Sequence, residues 1–360
     1  MRLLALLAAL CLAAPVGAQQ RVVNVYNWTD YIDPYAVQQF QAETGIRVRY
    51  DLYDSLETLE AKLLAGKSGY DVVVPTSEPT FSRLVRAGAL QRLDPAKLPA
   101  LAGIDPALAK RVETSDPGGR HGAIYLWGTI GIAVNPVKLK QFAPDAPVDS
   151  WDLLLKPEHA KRMARCGIAM IDSAIDVIPT VLKYLGKSPD STDAADLAAV
   201  ERTLKAIRPH IRSFSSAGMI ETLASGETCL AIAYSGDAIQ AAGRAAEAAR
   251  GVEIQYIAPR EGAQLWFDVF AIPADAPNPA EAHAFIDFML RPKVIAGVTN
   301  HVSYPNAVPA SRAMIDKAIL DDPGIHPPEA IQAGFFTIGA VPQEATRARS
   351  RMWTRFKSNR

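Results

Sequence analysis

The chain has 360 residues, of which 49% are hydrophobic, with 26 prolines and 23 glycines. That is the composition of an ordered globular protein long enough to form two lobes. With 38 basic and 38 acidic residues the net charge is zero, which excludes the basic surface that a nucleic-acid partner requires.

Residues 1–18 read as a secretory signal: Arg2 supplies the positive start, and Leu3 to Ala14 is an apolar run too short to span a bilayer. Val16-Gly17-Ala18 fits a small-residue cleavage site, so the mature chain is expected to begin near Gln19. Leu10 before Cys11 is too bulky for lipoprotein processing, so no lipid anchor is expected, and no other stretch is apolar enough to cross a membrane. Two cysteines remain, Cys166 and Cys229. An even count in an exported chain predicts a disulfide. Closing that loop would add roughly 4 kcal/mol of stability in the chain-entropy model.

Val23 and Val25 alternate against Asn24 and predict a first strand that stops at Trp28-Thr29-Asp30-Tyr31. Asp33-Pro34 then signals a helix start, with a capping acceptor and a proline at the first helical position. A helix through Thr44 ends at Gly45, a strand follows over Ile46 to Leu52, and a second helix runs from Ser55 through Leu64 to Gly66. Asp71 to Pro75 is a buried strand, and a helix follows to Ala87-Gly88. This β-α-β-α-β-α order predicts a parallel sheet with helices on both faces. Gly66-Lys67-Ser68 is not a phosphate loop, because position 61 is Ala and a helix precedes it.

Leu93 to Val112 is proline-broken, and His121 to Val134 is a long β-rich run able to carry the chain from one lobe to another. Trp151 to Tyr184 and Ala194 to Ile211 read as mostly helical, and Cys229 to Tyr234 as a buried strand ending in Ser235-Gly236-Asp237. Strands are expected over Val252 to Ile257 and Leu265 to Ile272, then a helix over Pro279 to Leu290 and a loop over Val302 to Asn306. Arg347 to Arg360 reads as a terminal helix that buries Trp353 and Phe356 and leaves its basic residues solvated. The α/β alternation occurs twice, and the strands within 252–272 look like late additions to the first sheet. The expected organisation is therefore two interleaved α/β lobes: 19–128 with 255–300, and 129–254 with 301–360.

In open α/β sheets ligands bind beyond the carboxyl ends of strands. The groups at such ends are Trp28, Asp30, Tyr31, Tyr234, Asp237, Trp266 and Asp268: three carboxylates and four aromatics, with no Arg or Lys in the same motifs. Taken singly, each is ordinary turn or core chemistry. Together they lack the cation that an acidic ligand needs. They suit a ligand positive at both ends and apolar between, such as a diaminoalkane, with carboxylates on the ammonium groups and ring faces on the methylenes.

The sequence closely resembles the periplasmic polyamine-binding proteins of bacterial ABC importers, the putrescine-binding type in particular, from Val22 to Lys357. The resemblance is carried by Y-N-W-T-D-Y-I at 26–32, Y-D-L-Y-D-S-L-E-T-L-E-A-K-L at 50–63, Y-D-V-V-V-P at 70–75 and P-V-D-S-W-D-L-L-L-K-P-E at 147–158. It continues through Y-S-G-D at 234–237, F-D-V-F-A-I-P at 267–273 and H-V-S-Y-P-N-A at 301–307. It implies a type II periplasmic-binding-protein fold, with two α/β lobes, a hinge and a ligand cleft that closes. It also implies a periplasmic location, an ABC permease as partner, and a ligand set of Trp28, Thr29, Asp30, Tyr31, Thr76, Asp176, Tyr234, Asp237, Trp266, Asp268 and Tyr304. The family's disulfide falls on Cys166 and Cys229.

Three departures bear on specificity. Asp176 is one methylene shorter than the family's glutamate, Tyr234 replaces the tryptophan of the putrescine type, and an extra residue falls near Ser77-Glu78-Pro79. Glu78 and Glu57 are either helix-start acids facing solvent or additional ligand contacts. No cofactor, metal or self-association is expected: His121, His159, His210, His283, His301 and His326 are scattered, without paired ligand spacing. The alternatives are a binding protein for another organic cation or a sugar, a sensor keeping the same fold, and a carboxylate-pair glycoside hydrolase.

Overall fold

The computed structural model describes residues 20–358. The expected signal segment and its cleavage site lie outside them. Strand β1 (Val22–Trp28) buries Val23 and Val25 completely, as the alternation requires. Asp33 then accepts the Tyr35 backbone N–H at 2.8 Å, Pro34 opens the helix Pro34–Thr44, and Gly45 closes it at φ 68°. Strand β2 (Arg47–Tyr53) is a sheet edge whose residues are mostly exposed. The helix Leu56–Ala65 follows, capped by the Ser55 hydroxyl, and then the two-residue, fully buried strand β3 (Val72–Val73). These three strands are parallel, in the spatial order β2-β1-β3.

The helix expected after Pro75 is broken in two. A π turn spans Ser77–Phe81, with Glu78 in extended backbone and a cis Glu78–Pro79 bond, and a short α-helix covers Ser82–Arg86. Proline brings no N–H to a helical ladder.

The remaining strands are β4 (Gly122–Val134), β5 (Ile168–Met170), β6 (Ser213–Phe214), β7 (Leu230–Tyr234), β8 (Gln255–Ile257) and β9 (Gln264–Ala271). They complete a nine-stranded sheet in the order β2-β1-β3-β9-β4-β7-β5-β6, with β8 on β4. The thirteen residues of β4 join the two halves. Gly122 to Ile130 pair antiparallel with β9, which touches β3, while Ile130 to Val134 pair with β7, which touches the parallel β5. The strand expected over 252–257 is confined to its last three residues, and it borders the β7 end of β4 rather than the β9 end.

Cys166 and Cys229 form a disulfide just ahead of β5 and β7. The terminal helix Gln343–Lys357 buries Met352, Trp353 and Phe356. One of its charges departs from the solvated face that was expected. Arg349 is buried, and its Nη2 donates to the carbonyls of Pro189 and Ser191 at 3.0 and 2.8 Å, while its Nε is buried without a partner.

Candidate ligand cavity

The carboxyl ends of β1, β2 and β7, the segment after β3 and the middle of β9 converge on one cavity of about 80 Å³. Ten of the eleven residues anticipated from sequence line it: Trp28, Thr29, Tyr31, Thr76, Asp176, Tyr234, Asp237, Trp266, Asp268 and Tyr304. Tyr53, Asp54, Leu56, Ser216 and Ala217 complete the lining. Tyr53 pairs with Trp28 across parallel strands, and both strands open at the same edge. Ser216 and Ala217 sit in an irregular segment that no periodicity marks.

The aromatic walls are held by hydrogen bonds that leave ring faces free. The Trp28 indole N–H donates to the Val74 carbonyl at 3.0 Å, and the Tyr53 hydroxyl donates to the same oxygen at 2.6 Å. Their rings lie 4.4 Å apart at 46°. Tyr304 meets Tyr31 and Trp266 edge-on, each at 5.3 Å. Such tilted contacts suit the ring quadrupoles. Two glycines make this packing possible. A Cβ on Gly128 would stand 2.6 Å from the Trp266 ring, and one on Gly236 would stand 2.4 Å from the Tyr304 ring.

Of the four carboxylates in the lining Asp54 is solvent-exposed, and the other three differ in their partners. Asp268 is 4% exposed and accepts one hydrogen bond, from the Thr76 hydroxyl at 2.6 Å. The Tyr31 hydroxyl is buried beside it, without a fully formed hydrogen bond but close enough to favour the ionised carboxylate. Burial pushes the Asp268 carboxyl up to about 7, and the charge of Asp176 adds to the shift. Asp237 stands in the first turn of the helix Ser235–Ala248 and accepts from the Tyr304 hydroxyl at 2.8 Å. It keeps some surface open to the cavity, yet burial still pushes it up to about 7 against the Tyr304 bond, with Asp30 adding to the rise. Asp176, in the first turn of the helix Ala174–Tyr184, is 8% exposed and accepts from Ser173, Tyr234 and Gln264. Burial raises its carboxyl as well, and the three donors oppose the rise. Isolated buried carboxylates are costly, so this cavity is arranged to receive positive charge.

Asp30 does not line the cavity. Its backbone is left-handed at φ 52°, and its half-exposed carboxylate lies 3.4 Å from the Arg244 guanidinium. An arginine thus stands at the rim, contributed by the helix that begins after β7. Glu78 is also outside: its carboxylate accepts from the Ser82 and Ser115 hydroxyls at 2.6 and 2.9 Å. It is half-buried rather than solvated, because the broken helix turns it inward. Glu57 is exposed at its helix start and does not reach the lining.

Comparison with known proteins gives the family. The family profile "Bacterial extracellular solute-binding protein" matches residues 35–327. The chain is 45% identical to "Putrescine-binding periplasmic protein SpuD" of Pseudomonas aeruginosa, over 98% of both chains. It is 44% identical to "Putrescine-binding periplasmic protein PotF" of Escherichia coli, over 99% of this chain and 97% of that one. Among solved structures it superposes on the "Putative spermidine/putrescine ABC transporter from Listeria monocytogenes" with a TM-score of 0.85 and 28% identity, covering 94% of this chain and all of that one. The fold is therefore that of the type II periplasmic binding proteins, two α/β lobes around a ligand cleft. The chain belongs to the bacterial extracellular solute-binding proteins and, within them, to the periplasmic polyamine-binding proteins of ABC importers.

Proposed function

We propose that this protein captures a polyamine in the interlobe cavity and delivers it to an ABC permease, with putrescine as the first candidate and spermidine as the second. One observation carries the reading: Asp268 and Asp237 are set among aromatic rings, pushed up to about 7, in a cavity with no Lys or Arg in its lining. A dication restores to these groups what burial took away. Putrescine has about six heavy atoms, and a ceiling of ~1.5 kcal/mol per atom gives about 9 kcal/mol, a sub-micromolar affinity.

The lobes we assign are 19–128 with 255–300 and 129–254 with 301–360, and the eleven anticipated residues are the ligand set, with Asp30 acting from the rim. Asp268 belongs to the first lobe and Asp237 to the second, so a bound dication contacts both and favours the closed state by differential contacts. The family is one of solute-binding transport proteins, and the role we assign is binding, without catalysis. We place the protein in the periplasm as a monomer. Among the described residues no helix is long and apolar enough to cross a membrane.

Calorimetric titration of unfolded-and-refolded protein with putrescine, spermidine and spermine tests the reading. One-to-one binding with putrescine tightest is expected. No heat with any of the three would overturn it.

A further inference from the structure

Strand β9 turns Gln264, Trp266 and Asp268 to one face, opposite Ile130, Gly128 and Leu126 of β4. Trp266 and Asp268 line the cavity, whereas Gln264 is 1% exposed and sits behind the wall. Its Nε2 donates to Asp176 Oδ1 at 2.8 Å, while its Oε1 is buried with no donor. Asp176 Oδ2 receives the Ser173 hydroxyl at 2.6 Å and the Tyr234 hydroxyl at 2.8 Å. Three donors from three separate parts of the chain therefore point at one carboxylate.

An ionised carboxylate is acceptor-only and can take all three bonds. A protonated one would bring its own O–H into that ring of donors and displace one of them. The amide of Gln264 could meet such a proton only by turning over to offer Oε1. In the orientation seen here the amide serves the anion and leaves its own oxygen unpaired, which is a standing cost in a buried site. Asp268, four residues from Gln264 on the same face, has a single hydroxyl donor and no such arrangement.

We propose that Gln264 is a positioning residue that fixes Asp176 as an ionised, oriented anchor for an ammonium group before ligand arrives. The ammonium half of this statement rests on the polyamine reading above. The positioning half does not. The titratable groups that face Asp176 from the elements around it are Tyr234 at the end of β7, Asp268 on β9 and Glu57 at its helix start. Asp268 and Glu57 are acidic and Tyr234 is neutral in its ordinary state, so neutral donors do the work of holding the charge.

The direct test follows the Asp176 carboxyl carbon by NMR across pH 4 to 8, in ligand-free wild type and in Gln264→Leu, which keeps the bulk and removes the donor. The Asp176 midpoint is expected to rise by about one pH unit in the variant. Gln264→Met serves the same purpose if the leucine variant does not fold. Putrescine titrations of the same proteins should then show a loss of affinity that is larger at pH 6 than at pH 8 and a few-fold at most at pH 6, below the tenfold ceiling that a one-unit shift sets. An unchanged Asp176 midpoint, or a loss of affinity equal at every pH, would overturn the positioning role. Wild-type protein that ignores putrescine while the midpoint still moves would overturn the polyamine reading and leave the positioning role standing.

Discussion

Asp268 and Asp176 stand in one cavity wall, both nearly without solvent, yet they are prepared for a cation in opposite ways. Asp268 has one hydroxyl donor within hydrogen-bonding distance, the Tyr31 hydroxyl close beside it and a carboxyl raised to about 7. Asp176 has three donors that oppose the same desolvation. Burial sets a cost for both, and the number of donors decides how much of it is met before ligand binds. On the proposed reading Asp268 is the carboxylate whose charge the ligand completes, and Asp176 the one whose charge the protein completes itself.

The largest expected effect comes from Asp268→Asn, which keeps the shape and the Thr76 contact but removes the charge. Putrescine affinity should fall by about tenfold to a hundredfold, the worth of a lost charge-assisted hydrogen bond, as read by calorimetry. A fall below threefold would break the contrast with Asp176.

The next effect is on stability. Asp268 and Asp237 have folded pKa values above those of an unfolded chain, so the folded protein holds more protons than the unfolded one between about pH 4 and 7. Stability of the ligand-free protein contributed by these two groups is thus greatest below pH 4 and is lost as pH rises toward 7. The expected outcome is that Asp268→Asn gains melting temperature over wild type at pH 8 and not at pH 4, and that saturating putrescine removes the difference between the two pH values in wild type. A variant that is destabilised at pH 8 would contradict this.

Tyr31→Phe removes a hydroxyl that stands beside Asp268 without a fully formed hydrogen bond. The empty protein should keep its stability, and putrescine affinity should drop by about fivefold if that hydroxyl bonds Asp268 or the ligand after closure. The smallest effect belongs to Asp30→Asn. An exposed ion pair such as Asp30 with Arg244 is worth about 0–1 kcal/mol, so affinity should change by about fivefold or less and the change should shrink at high salt.

These comparisons also separate what the sequence made legible from what it did not. The strand-to-helix corner was written locally, in Val23-Asn24-Val25 and in Asp33-Pro34, and the carboxylates and rings at strand ends could be collected from their motifs. The position of Asp30 could not be, because a left-handed backbone at one residue turns its side chain out of the cavity. Arg244 lies far along the chain, and only the folded helix brings it to the rim. Gln264 was invisible for a different reason. It carries no charge and stands one residue ahead of the strand expected over Leu265 to Ile272, and its role exists only through a contact with Asp176, 88 residues away. Arg349 failed in the same way: its neighbours in sequence are solvated, and the carbonyls that satisfy it come from 189 and 191.

A cation bound through carboxylates whose charge the ligand completes must displace protons from them. That release is measured by titrating putrescine calorimetrically at pH 7 in buffers of different ionisation heat. Groups with pKa values near 7 are half protonated at that pH, while the ligand amines are fully charged. Ionising Asp268 and Asp237 should therefore release on the order of one proton per putrescine bound. Binding with no buffer dependence would mean that both carboxylates were already charged, and the account of how this cavity selects its ligand would be wrong.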